Sequence, residues 1–214
     1  PIDENTAIHI ASTTKTFTAM CVLKMCAEKK LKLDDLFSAY FPNFNYPGVT
    51  IKSLLNHRSG LPNYVHFIDK IEPDKKKKIT NADVLNYLIQ YKAQLTDIGT
   101  PNRNFRYCNT NYALLALLIE KISGLSYPEY MKQTIFEPLG MHNSFVLTDS
   151  SMNKATPSYY PNGKIYETTN LDAVYGDKNI YATPRDMLKW DQLLRSGQFL
   201  DSTMLTLAYM PYSN

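Results

Sequence analysis

Ser12, Thr13, Thr14 and Lys15 place a hydroxyl and an amine three residues apart, a spacing that on a helix puts both side chains on one face, a turn apart. A serine hydroxyl is a weak nucleophile until a neighbouring base takes its proton, and a lysine amine taken out of water can be that base. The chemistry indicated is acyl transfer through a serine ester. A serine at a helix start would also aim its backbone N–H and the positive end of the helix dipole at a developing oxyanion. Tyr107, Cys108 and Asn109 supply a second group, a phenol and an amide on a turn just before an apolar run. The phenol can relay a proton between nucleophile and leaving group, and the amide can orient the lysine or a substrate amide.

Neither spelling is decisive alone. A Ser-x-x-Lys match is expected about once by chance in a chain this long, and Ser151, Met152, Asn153 and Lys154 form a second one. That copy lies in a polar stretch with no apolar helix to bury its lysine, so Ser12 is preferred. Tyr160-Pro161-Asn162 and Tyr212-Ser213-Asn214 repeat the tyrosine spelling in a chain with 16 Tyr. Other chemistries lack their residues. There is no Gly-x-Ser-x-Gly elbow, no His-Glu-x-x-His pair and no glycine-rich phosphate loop among eight Gly. His9, His57, His66 and His142 are scattered singly and read as hydrogen-bonded or surface residues, and no metal or organic cofactor is indicated.

The elements that must position these groups are mostly helical. Ser12 to about Lys29 has no Pro or Gly and is apolar on most faces, the pattern of a buried helix. Thr50 to Asn56 suggests a short helix, and Thr80 with an acid three residues on begins another. The run from Tyr112 reads as a buried helix stopped by Gly124, followed by a short helix from Tyr127 to Phe136. Residues 148–163 read as loop, and Asn162-Gly163 predicts a hairpin with a type I′ turn. A last helix runs from Thr183 to Ser196, with Pro184 at its first position, Asp186 closing a capping box and Gly197 just past its end. Strand content is otherwise thin.

The 214 residues, 44% hydrophobic, can bury a core as one large domain or two small ones. Twenty-three basic against 20 acidic residues leave a net charge of +3, too small an excess to indicate a nucleic-acid surface. The run Lys75 to Lys78 reads as a solvated loop. Cys21, Cys26 and Cys108 are too few and too irregular for a disulfide framework or a zinc site and are expected to be free thiols. No apolar run approaches the roughly 18 residues of a membrane span, and Pro1 reads as a processed or trimmed start.

Order along the chain makes the pattern specific. The strings IASTTKTFTA, LLNHRSGLPNY, FRYCNTNYALLALLIEKISG, FEPLGMHNS and GDKNIYATPRDMLKWD resemble successive stretches of the penicillin-recognising serine hydrolases, namely class C β-lactamases, DD-peptidases and related esterases. By that resemblance Ser12 is the acylated serine, Lys15 its partner, Tyr107 the general base or acid, and Asn109 the second polar group of the tyrosine motif. The implied fold has two domains, one α/β and one all-α, with this chain mainly α. Residues 1–45 would hold the nucleophile helix and the start of the α/β domain, 46–160 the helical domain, and 161–214 a hairpin and a return helix. The family's third motif, Lys-Thr-Gly or His-x-Gly on a strand, is not found. Arg195-Ser196-Gly197 lies where a helix stops, and His57-Arg58-Ser59-Gly60 belongs to an earlier loop. The chain is therefore expected to be truncated, continuing past Asn214 into strands. The resemblance implies an exported, periplasmic or cell-surface hydrolase of a β-lactam, cell-wall peptide or ester, with no nucleic-acid partner. The alternative is an incomplete member that binds a cell-wall peptide, a β-lactam or a partner protein without turnover.

Overall fold

A computed structural model describes residues 2–212. Helix α1 (Thr14–Ala27) buries ten of its side chains, Lys15 among them, in keeping with its unbroken apolar sequence. Ser12 lies just ahead of it, in a 3₁₀ turn over Ala11–Thr13. Short helix α2 (Ile51–Leu55) and helix α4 (Asn81–Gln90) both start on reciprocal capping boxes, Thr50 with Ser53 and Thr80 with Asp83. Between them stands α3 (Tyr64–Ile71), whose cap residue Asn63 makes no side-chain capping bond.

Helix α5 (Asn109–Ser123) begins three residues before the apolar run at Tyr112. Its polar first turn is satisfied from outside the helix: Thr110 Oγ1 donates to the Pro62 carbonyl and accepts from Tyr64 N–H. Gly124, at φ +73, ends α5 in the left-handed conformation that glycine permits. Helix α6 (Tyr127–Met131) runs on into a π-helical turn over Lys132–Phe136. Helices α7 (Pro184–Ser196) and α8 (Ser202–Tyr209) complete the set, the latter capped by Asp201 and not anticipated from the sequence.

α5 is the central element, packed against α1, α2, α3, α4 and α6. Around it one contiguous apolar cluster gathers side chains from Phe17 to Leu200; each large side chain taken fully out of water contributes on the order of 1.5–3 kcal/mol. α7 joins this core through Trp190, whose ring stacks on Phe17 at 4.1 Å. Three short strands, β1 (Ile8–His9), β2 (Phe145–Val146) and β3 (Ile180–Ala182), form an antiparallel sheet in the order β1-β3-β2. β3 holds the lead into α1 from two sides: Ile10 N–H donates to the Ile180 carbonyl at 3.0 Å, and Ile180 N–H to Thr14 Oγ1 at 3.2 Å. No helix among the described residues is long and apolar enough to cross a membrane.

Two local expectations change. The predicted hairpin is present as a bridge between Tyr159 and Ile165, but its turn is not type I′. Gly163 N–H donates to the Tyr160 carbonyl, so Pro161 and Asn162 occupy the turn's centre, and only Gly163 has positive φ. Proline's fixed negative φ excludes the primed turn at that position. Helix α7 does start at a Thr183 cap that accepts from Asp186 N–H, yet the Asp186 carboxylate does not complete the box. It accepts instead from Ser144 Oγ and Asn143 N–H, tying α7 to the segment before β2. The three cysteines are buried free thiols. Lys75 to Lys78 lie exposed, with Lys77 paired to Glu72 and Asp83 and Lys78 to Asp149.

The segment 175–180 lies against α1 and α5 and owes its close approach to Gly176. This residue has φ +90, its carbonyl accepts from Thr18 Oγ1, and an added Cβ would stand 2.5 Å from the Tyr112 carbonyl oxygen and 2.8 Å from Ala116 Cβ. Gly176→Ala should therefore destabilise the fold by about 2 kcal/mol or more, read as a lowered denaturation midpoint. Gly163→Ala, which meets nothing within 4 Å, should cost less; equal losses would contradict the close-packing account.

Candidate active site

Ser12 stands at the end of a strained step in the chain. Ala11, between β1 and Ser12, has φ +46, a left-handed conformation that costs a non-glycine residue on the order of 1–3 kcal/mol. The bonds from β3 to Ile10 and Thr14 enforce it on either side. The turn's own hydrogen bonding starts with Thr13 N–H to the Ile10 carbonyl, leaving Ser12 N–H outside it. Ser12 is exposed, whereas Lys15, one turn on, is 6% exposed.

Two donors converge on Ser12 Oγ. Lys15 Nζ approaches to 3.1 Å, and the Tyr107 hydroxyl, 95 residues away in sequence, to 2.9 Å. Lys15 Nζ also donates to the Asp177 backbone carbonyl at 2.8 Å and lies 4.9 Å from the centre of the Tyr107 ring. The amine is thus held by a short covalent link through α1, a carbonyl of the 175–180 segment and an aromatic face. Asn109 begins α5 beside Tyr107, but its amide oxygen is buried with no hydrogen-bond partner. Three of the four residues singled out by sequence meet at hydrogen-bonding distance; Asn109 is adjacent and unbonded.

The decoy motifs fall elsewhere. Ser151 Oγ caps the 3₁₀ turn Asp149–Lys154 by accepting from Thr148 N–H, and Lys154 is exposed. Tyr160 is an exposed ring against Tyr166. Arg195 pairs with Asp191 at the end of α7, and Gly197 is its left-handed cap. For Tyr212-Ser213-Asn214, the last two residues lie outside the described residues. Among the described residues no group of His, Cys, Asp and Glu is placed to hold a metal ion.

Sequence reasoning passed over two polar residues at the site. His57 is buried beneath Tyr107, its ring 4.5 Å from the phenol ring, and its Nδ1 accepts from Cys108 N–H at 3.1 Å. Burial, aided by Lys15, brings its pKa down to about 4. Asp177 is 2% exposed; its Oδ2 accepts from the Tyr64 hydroxyl at 2.8 Å, and its Oδ1 has no partner. Burial pushes its pKa up to about 6, against the opposing pull of Lys15, Lys178 and Tyr64. Both residues stood inside the family-like strings, but nothing local marks them, because their partners lie 51 and 113 residues away.

Asp177 makes stability depend on pH. Its folded-state value of about 6 lies above the ordinary 3.8, so the folded chain binds the proton more tightly and unfolding releases it between those values. This contribution is fully present below about pH 4 and is lost as pH rises through 6. Because His57, lowered to about 4, contributes in the opposite direction over nearly the same window, the test is a difference: Asp177→Asn, which keeps an acceptor for Tyr64, should make the melting temperature rise more, or fall less, than that of the parent between about pH 4 and 6. A variant whose melting temperature follows the parent's pH dependence would contradict the assignment.

With the geometry in place, comparison with known proteins is direct. The profile of the β-lactamase family matches residues 1–209. Penicillin-binding protein 4* of Bacillus subtilis (strain 168) is 32% identical over 228 aligned positions, covering 99% of this chain and 50% of the relative, so the chain spans half of that protein's length. A penicillin binding protein structure from Bacillus halodurans superposes with a TM-score of 0.81 at 29% identity, covering 96% of this chain and 64% of the other. A D-amino acid amidase from Ochrobactrum anthropi SV3 superposes at 0.78 with 25% identity, covering 96% and 60%. With its family profile matched almost end to end and a relative above 30% identity along its whole length, the chain belongs to the β-lactamase family.

Proposed function

We propose that this chain carries the nucleophile of a serine hydrolase of the class C β-lactamase and DD-peptidase type, acting through an acyl-enzyme on a β-lactam, a cell-wall peptide or an ester. The observation that carries the reading is the convergence of Lys15 Nζ and the Tyr107 hydroxyl on Ser12 Oγ. In this scheme Ser12 Oγ attacks the substrate carbonyl carbon while its proton passes to Lys15 or Tyr107. The oxyanion of the tetrahedral intermediate is met by Ser12 N–H. Tyr107, at the exposed rim, returns the proton to the departing nitrogen or oxygen, leaving the acyl group on Ser12. Water then attacks the ester by the same proton path in reverse, yielding a carboxylic acid and free enzyme. In the same scheme Asn109 is the second polar group of the tyrosine motif, its unpaired amide oxygen the group that would orient Lys15 or a substrate amide once the site is engaged.

The same reading assigns residues 1–45 and 161–214 to the approach and return of an α/β domain and 46–160 to a helical one. The pairing of β1 with β3 joins the two outer segments as that partition requires, whereas β2, at residues 145–146, comes from within the helical stretch. The relatives named for penicillin binding and for D-amino acid amides suggest an exported or cell-surface protein that meets peptidoglycan-like substrates, and they define the probes for a test.

Incubation with a penicillin, a cephalosporin, a D-amino acid amide and an activated ester should give a covalent adduct by intact-protein mass spectrometry, absent in Ser12→Ala. Tyr107→Phe should slow adduct formation by about 10²–10⁴-fold without lowering the melting temperature, since the phenol is 47% exposed and its ring is retained. An adduct formed only by a form extended past Asn214 would mean that a further oxyanion donor beside Ser12 N–H comes from that extension. No adduct from either form would sink the hydrolase reading in favour of binding without turnover.

A further inference from the structure

The turn that delivers Tyr107 to Ser12 has no side-chain cap of its own: Cys108, the cap residue of α5, makes no capping bond. What holds it comes from the loop after α2. The His57 carbonyl accepts from Arg106 N–H at 2.8 Å, and His57 Nδ1 accepts from Cys108 N–H at 3.1 Å. One residue therefore binds the backbone on both sides of Tyr107 while its ring lies against the phenol ring. His57 does this from a left-handed backbone, φ +59, on the way into the Ser59 loop. Behind it, Asn111 Nδ2 stands 3.4 Å from the same Nδ1, and Asn111 Oδ1 accepts from the buried Ser59 hydroxyl at 2.6 Å. Two donors on Nδ1 set the tautomer, placing the ring proton on Nε2.

We infer that His57 is a positioning residue for the reaction proposed above: as a neutral Nδ1 acceptor it clamps the 106–108 turn and so fixes the Tyr107 hydroxyl on Ser12. The role rests on that hydrolase reading and adds a residue outside its proton path. A protonated imidazole would turn a donor toward Cys108 N–H and release the clamp. The groups facing the ring are Lys15 from α1, Tyr107 and Cys108 from the turn, and Tyr112 from α5, with Phe105 at its edge. None is an anion that would favour the charged ring. The catalytic consequence is geometric, because a displacement of about 1 Å at a proton-transfer group can cost on the order of a hundredfold in rate.

Two measurements on the full polypeptide test this. Long-range ¹H–¹⁵N NMR of the imidazoles should show His57 as the neutral Nε2–H tautomer from pH 5 to 8; an Nδ1–H tautomer or a charged ring in that range overturns the clamp. The second compares acylation rates of His57→Asn and His57→Gly, two residues that tolerate the left-handed φ. Asparagine puts an amide oxygen near the position of Nδ1, whereas glycine offers no acceptor. His57→Gly should acylate about tenfold to a hundredfold more slowly than wild type, with the apparent substrate affinity little changed, and His57→Asn should recover most of the rate. A glycine variant as fast as wild type, or an asparagine variant as slow as the glycine one at equal thermal stability, overturns the role. A wild-type protein that no probe acylates overturns the hydrolase reading itself, an outcome the NMR measurement separates from failure of the clamp.

Discussion

The structure turns on keeping one amine out of water. Lys15 is buried within the first turn of α1, and its Nζ is satisfied by a serine hydroxyl and a backbone carbonyl, with no ion pair to a carboxylate among the described residues. A buried ammonium without such partners would cost several kcal/mol. The chain must therefore deliver the Asp177 carbonyl from 162 residues away and lay a narrow segment across α1 to do so. Gly176 permits that approach, Thr18 bonds its carbonyl, and the Asp177 carboxyl is anchored by Tyr64 from α3. Much of the polar interior exists because these partners must be held in place around a charged or proton-accepting group.

A second consequence is the arrangement of the helices. α5 is surrounded, so its polar first turn cannot be solvated and is satisfied by the loop that joins α2 to α3. That loop in turn receives the Tyr107 turn on His57. Each buried donor or acceptor answered in this way avoids a penalty of about 1–3 kcal/mol, and the answers knit the Tyr107 turn to the Ser12 and Lys15 side of the site. Among the described residues four buried side-chain oxygens are left unanswered, those of Asn109 and Asp177 at the site and those of Asn56 and Asn63 at the two ends of the loop that joins α2 to α3.

Where sequence reading and structure part, a long-range contact has overridden a local pattern. Asp186 had the spacing for a capping box, yet Ser144 and Asn143 offered its carboxylate better-placed donors across the fold. Asn162-Gly163 suggested a primed turn, and Pro161 shifted it by one residue. α3 was missed because its cap makes no side-chain bond and because it follows a proline-bearing loop; α5 was started late because its first turn is polar. In each case the missing information was the partner, which sequence periodicity does not carry.

The sequence alone determined what depends on neighbours within a turn or two: a buried first helix with Ser12 and Lys15 a turn apart, the short helix α2, the capped starts of α4 and α7, the glycine stops at 124 and 197, and, through the order of its motifs, the family. Tertiary structure alone decided that Tyr107 reaches Ser12 while Asn109 remains unbonded, that Asp177 and His57 belong to the site, and that the second Ser-x-x-Lys copy is only a turn cap. The reason is physical. Helix and cap formation are set by contacts three or four residues apart, whereas placing a titratable group depends on desolvation and on hydrogen-bond partners that only folding brings together.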